Sequence, residues 1–186
     1  GTHMSRLVAM LEARAEAAQP PLSVVNFHQL LDTLVVLLDA PGGRVEIAFP
    51  FFVRKSAPVS GVERLLDYEV RIVGELHDGR YRQTVAVAVP VTSLCPCSKE
   101  VAEYGAHNQR STITITARAR EPLFLTELIR IAEEEASCEL FGILKRADEK
   151  YVTERAYDNP RFVEDLVRGV AVRLEADPRL DGFVVE

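Results

Sequence analysis

Residues 66–91 run Leu66-Asp67-Tyr68-Glu69-Val70-Arg71-Ile72-Val73-Gly74-Glu75-Leu76-His77-Asp78-Gly79-Arg80-Tyr81-Arg82-Gln83-Thr84-Val85-Ala86-Val87-Ala88-Val89-Pro90-Val91. Tyr68, Val70 and Ile72 alternate with Glu69 and Arg71, the period of a strand with one face in water. Val85, Val87, Val89 and Val91 keep that period on the far side of Asp78-Gly79, and both turn residues tolerate positive φ. The stretch therefore predicts an antiparallel hairpin at the centre of the fold.

Working outward, Val45, Ile47, Phe49 and Phe51 predict a strand upstream, with Pro50 marking an edge or a bulge. Before it come two amphipathic helices. Met4, Leu7, Val8 and Leu11 carry the first, which Pro20-Pro21 ends, and Phe27, Leu30, Leu31, Leu34 and Leu38 carry the second, which Pro41-Gly42-Gly43 ends. Downstream, Ile113 and Ile115 alternate with threonines as a strand. Leu125, Leu128, Ile129, Ala132 and Ala136 then form a helical stripe. A further helix is expected to start at Asn159-Pro160, to run through Val163, Leu166, Val167, Val170 and Leu174, and to stop at Asp177-Pro178. Gly182 to Glu186 looks like a strand just starting. The order is ααββ, then ββααβ. It reads either as two copies of a ββααββ unit lacking outer strands, divided near Asp78-Gly79 into residues 1–79 and 80–186, or as one undivided α+β domain.

With 186 residues, 47% hydrophobic and 27% charged, the chain has the composition of a folded globular protein, not a disordered or disulfide-dense one. No apolar run approaches the ~20 residues that span a bilayer, so no membrane span is expected. The net charge of -6 argues against nucleic acid as a partner, because a negative field repels it. Any anionic substrate then needs a local basic pocket. Three cysteines do not make a disulfide framework, which points to reduced thiols and the cytoplasm.

Chemistry concentrates in Thr92-Ser93-Leu94-Cys95-Pro96-Cys97-Ser98-Lys99-Glu100 and Tyr104-Gly105-Ala106-His107-Asn108-Gln109-Arg110-Ser111. Proline after Cys95 suits a first helical position and Gly105 suits a helix end, so Cys95 is expected to cap a short helix whose N-H groups favour its thiolate. His107 lies where a loop can return it toward that sulfur. Cysteine plus histidine is half of a zinc-type site, although a buried cysteine and a solvated histidine would read the same way. Lys145-Arg146-Ala147-Asp148-Glu149-Lys150 reads as a solvated mixed-charge loop, and Glu164 lies on the shoulder of the last helix's apolar stripe. Lys55, in Arg54-Lys55-Ser56-Ala57-Pro58-Val59-Ser60-Gly61, sits in a loop that either holds a phosphate or is an ordinary surface turn.

Ser93 to Lys99, Gly105 to Ser111, Lys55 to Gly61 and Asp148 to Arg155 together resemble the bacterial GTP cyclohydrolases of the IB type, in order and over almost the whole chain. That family also carries a Gly-Thr-His-Met-Ser-Arg segment. Residues 1–6 therefore look native, although Gly1-Thr2-His3-Met4 alone would pass for a protease-cleavage scar. The resemblance implies tandem tunnelling-fold units, each ββααββ, a homotetramer, and a chain lacking N- and C-terminal segments, the latter bearing a further Glu-Ser-Ile-His block. It implies a divalent metal ion, zinc, manganese or iron, on Cys95, His107 and Glu149, with Cys95 and His107 also catalytic. Glu164 would anchor guanine, and Lys55, Lys99 and Arg110 would contact the triphosphate. The implied reaction is hydrolysis of GTP at C8 to formate and 7,8-dihydroneopterin triphosphate, the first step of folate and pterin biosynthesis. Two other readings stay open: a non-catalytic purine- or pterin-binding protein of the same fold, and a nitrile reductase using a cysteine nucleophile.

Overall fold

The computed structural model describes residues 4–17 and 20–186, so the expectation about Gly1-Thr2-His3 lies outside the described residues. The fold is mixed α+β, with helices α1 (Met4–Glu16), α2 (Phe27–Leu38), α3 (Pro96–Val101), α4 (Leu125–Glu135), α5 (Arg146–Asp158) and α6 (Val163–Glu175). The strands are β1 (Gly42–Ser56), β2 (Glu63–His77), β3 (Arg80–Leu94), β4 (Asn108–Ala119), β5 (Cys138–Glu139) and β6 (Leu180–Val185). Among the described residues they form one open antiparallel sheet in the order β1-β2-β3-β4-β6, with β5 on β3.

The expected hairpin joins β2 to β3, with Asp78 at φ 48° and Gly79 at φ 71°, the double positive φ that a two-residue turn needs. Register then places every second residue on one face. Ile47, Ile72, Val85 and Ala117 form one cross-strand row, and Phe49, Val70, Val87 and Ile115 the next. Helices α2, α4 and α6 cover these rows with Phe27, Leu31, Leu128, Ile129, Leu166, Val170 and Leu174. Burying side chains of this size contributes roughly 1.5–3 kcal/mol each. One core therefore runs continuously across both sides of the Asp78-Gly79 turn. Gly74 faces α2 at the place of closest approach: a Cβ there would lie 2.9 Å from the Phe27 ring.

Two prolines show how the sheet opens. Pro50 sits in the edge strand β1, where a missing N-H costs no ladder bond, so the edge reading holds and no bulge forms there. The β2–β3 ladder stops at Glu69 and Ala88, just before Pro90, and β3 continues with β4 and β5 alone. Beyond that point β2 no longer pairs with β3, and Lys55 of β1 pairs there with Glu133 of α4 and Glu139 of β5.

Two expectations are corrected. Residues 145–150 are not a loop: Lys145 is the N-cap residue and Arg146 starts α5, and while the other five residues are exposed as expected, Asp148 is fully buried. Asn159-Pro160 does not open the last helix; Asn159 caps the end of α5, and α6 starts at Val163. The physical reason is tertiary, because the Asn159 amide donates to the Ala136 carbonyl at 2.9 Å instead of capping a helix of its own.

Candidate functional site

The β3–β4 ladder ends at the pair Leu94 and Asn108. One step further the Cys95 N-H donates to the His107 carbonyl at 3.2 Å, so the chain leaves and re-enters the sheet with these residues opposite each other. Between them α3 begins with proline after Cys95, as expected. It ends at Val101, and Gly105, at φ 108°, belongs to the returning loop instead of the helix end. The Ser98 N-H, and secondarily that of Cys97, lowers the Cys95 thiol below its usual range, although no full capping hydrogen bond closes on the sulfur. Cys138 behaves in the opposite way: burial pushes its thiol up.

The strand end is held from below. The Leu94 N-H donates to Ser137 Oγ at 3.0 Å, and the Arg161 N-H donates to the Leu94 carbonyl at 3.0 Å. Because Arg161 lies just before α6, this second bond brings the first turn of α6, with Glu164, to the end of the sheet that carries Cys95. Glu164 is exposed and has no hydrogen-bond or ion-pair partner among the described residues, so its carboxylate is open to a ligand.

Helix α5 approaches the same end. Val152 and Ala156 pack with Leu94 and Ala106, the residues immediately before Cys95 and His107. Glu149 lies one turn before Val152 on that face. Its half-exposed carboxylate pairs with Arg146 at 3.1 Å. Thiolate, imidazole and carboxylate suit a divalent ion of the zinc type. Among the described residues no three histidine, cysteine, aspartate or glutamate side chains are gathered closely enough to hold one. The donor types suit such an ion in their chemistry, and the backbone sets Cys95 opposite His107, while the Glu149 carboxylate is engaged by Arg146.

The expected phosphate contacts differ in availability. Lys55 is in β1, not in a loop, and its side chain is only 9% exposed. Its ammonium pairs with Glu133 at 2.7 Å and with Glu139, while the Tyr68 hydroxyl donates to the same Glu133 oxygen at 2.7 Å. Lys99 donates to the Tyr157 carbonyl and lies 4.1 Å from the centre of the Tyr157 ring, pinning α3 to α5. Arg110 is exposed on β4, with no ion-pair partner among the described residues.

The loop after Lys55 does hold an anion, but the anion is the protein's own. Asp148 Oδ1 accepts the Val59 and Ser60 N-H groups, each at 2.8 Å; Oδ2 accepts the Ser60 hydroxyl at 2.6 Å and the Lys145 N-H at 2.9 Å. Burial alone would push this carboxyl up, yet the bonds from Ser60, Lys145 and Val59 hold it well below the usual carboxylate range. The sequence signal that could have revealed α5 was the helix-forming series of charged residues with Lys150 and Glu154 four apart.

The comparisons agree with one another. Residues 1–186 match the family described as type I GTP cyclohydrolase folE2. The chain belongs to this family. It is 60% identical over its whole length to a GTP cyclohydrolase FolE2 of Burkholderia ambifaria, covering 68% of that protein. The same full-length match reaches 56% identity with a GTP cyclohydrolase FolE2 of Thiobacillus denitrificans, again over 68% of the relative. With one from Dechloromonas aromatica it is 55%, over 67% of the relative. Membership of the folE2 family gives the Cys95–His107 pair a chemical context that its geometry alone does not.

Proposed function

We propose that the chain is a metal-dependent GTP cyclohydrolase, adding water at C8 of GTP and releasing formate and 7,8-dihydroneopterin triphosphate at the head of folate biosynthesis. The observation that carries this reading is the backbone pairing of Cys95 with His107 at the end of the sheet, in a chain of the folE2 family. Cys95, His107 and Glu149 would hold the ion, with zinc, manganese and iron the candidates; thiolate and imidazole favour zinc, while the carboxylate admits harder ions. Such an ion supplies Lewis acidity at neutral pH.

The chain's own residues supply binding and orientation. Guanine offers adjacent N1-H and N2-H donors, and the exposed, unpaired Glu164 carboxylate can accept both. Arg110 is the most available triphosphate partner. Lys99 and Lys55 would have to exchange existing partners for phosphate oxygens. The proposed architecture is tandem ββααββ units over residues 1–79 and 80–186 in a homotetramer; its support is the helix pair and strand pair before the central turn and the strands and helices after it. The proposed compartment is the cytoplasm, consistent with three free cysteines.

Incubation with GTP and each metal, followed by oxidation to a fluorescent pterin and a formate assay, tests the activity. Product with at least one metal is expected. GTP binding without product would favour the non-catalytic reading, and NADPH consumption with a thioimide on Cys95 or Cys97 would favour the nitrile reductase. Glu164→Gln, which turns one acceptor into a donor, is expected to weaken GTP binding by roughly 10- to 100-fold and to leave metal affinity unchanged. Titration calorimetry checks both, and undiminished GTP affinity would remove Glu164 from the guanine site.

A further inference from the structure

The rung that joins Cys95 to His107 is only half a normal antiparallel pair. Its first bond, Cys95 N-H to His107 carbonyl at 3.2 Å, is of the ordinary kind. In a regular hydrogen-bonded pair the His107 N-H would return to the Cys95 carbonyl. Here it donates instead to Ser98 Oγ at 3.1 Å, and the Ser98 hydroxyl donates to the Cys95 carbonyl at 3.0 Å. One hydroxyl is thus spliced into the rung as acceptor and donor at once. The half-buried Ser98 side chain serves only these two residues, reaching the Cys95 thiol as well as its carbonyl, and that carbonyl also accepts the Lys99 N-H at 3.2 Å as the first bond of α3.

We propose that Ser98 is a positioning residue that fixes the spacing of Cys95 and His107 for a shared ion. This rests on the reading of those two residues as ligands. A direct rung would draw the strand ends together by the width of one oxygen atom, and the side chains they carry would follow. A group that orients ligands without touching the metal is worth roughly 10- to 100-fold in affinity.

The test is zinc and cobalt affinity of the full chain, without substrate, for Ser98→Ala and for the isosteric pair Ser98→Thr and Ser98→Val. Thr keeps the hydroxyl, and Val replaces it with a methyl group. Ala and Val are expected to weaken zinc by roughly 10- to 100-fold and to shift the thiolate-to-cobalt absorption band, whereas Thr stays near wild type. Equal affinity in Thr and Val, whether both strong or both weak, overturns the proposal, and the isosteric pair decides even where Ala fails to fold. Cys95→Ala is measured beside them. If it retains wild-type affinity, the ligand reading itself has failed; if it loses zinc while Val retains it, only the role of Ser98 has failed.

Discussion

Asp148→Ala is expected to lower the melting temperature by roughly 10 °C. The carboxylate is fully buried, and its removal takes the shared acceptor from the Val59, Ser60 and Lys145 N-H groups and the Ser60 hydroxyl at once. Asp148→Asn keeps one carbonyl oxygen for Val59 and Ser60 but turns an N-H toward Lys145, so an intermediate loss is expected. The pH dependence has a definite sign. The folded carboxyl lies below the ordinary unfolded value of about 3.9, so its contribution is fully present above that value and is lost as pH falls through the folded one. The gap between wild type and Asp148→Asn in urea melts should therefore be widest at neutral pH, begin to narrow below about pH 4, and close only as pH falls through the folded value. A gap that does not change with pH would show that the charge is not what Asp148 contributes.

His107→Ala has the largest expected effect on chemistry. The imidazole is exposed, while the bonds that hold His107 in place are made by its backbone N-H and carbonyl, which alanine retains. Stability should change by no more than about 0.5 kcal/mol, and the proposed homotetramer should persist. Turnover of GTP should fall below detection, and metal affinity should drop by more than the roughly 100-fold that loss of an outer partner costs. Metal content after dialysis, beside a melting curve and the sedimentation of the variant, separates these outcomes. Unchanged metal content would remove His107 from the ligand set.

Much of the frame was legible because local periodicity and global burial agree. Alternation in β1 to β4, the positive-φ turn at Asp78-Gly79 and the apolar stripes of α2, α4 and α6 all state which face turns inward. Helix α5 was not legible, since its inward face is little more than Val152 and Ala156 and its anchor is a carboxylate. A charged residue looks solvated in sequence, and only its partners reveal otherwise. Lys55 was misplaced for the same reason: its neutralising glutamates lie 78 and 84 residues away. For Cys95, in contrast, proline at the first helical position already implied its place at the start of α3.

The sequence by itself determined five of the six described strands, the central turn, most of the helices and the identity of the residues able to carry chemistry, because each depends on neighbours within a few positions. Tertiary structure alone decided that Cys95 and His107 share a rung through Ser98, that Asp148 is the anion bound by the 57–62 loop, and that Lys55 is already neutralised. Each of those depends on which distant backbone or side-chain dipole reaches a buried or half-buried polar group, and hydrogen-bond partners, unlike hydrophobic periodicity, leave no repeating trace along the chain.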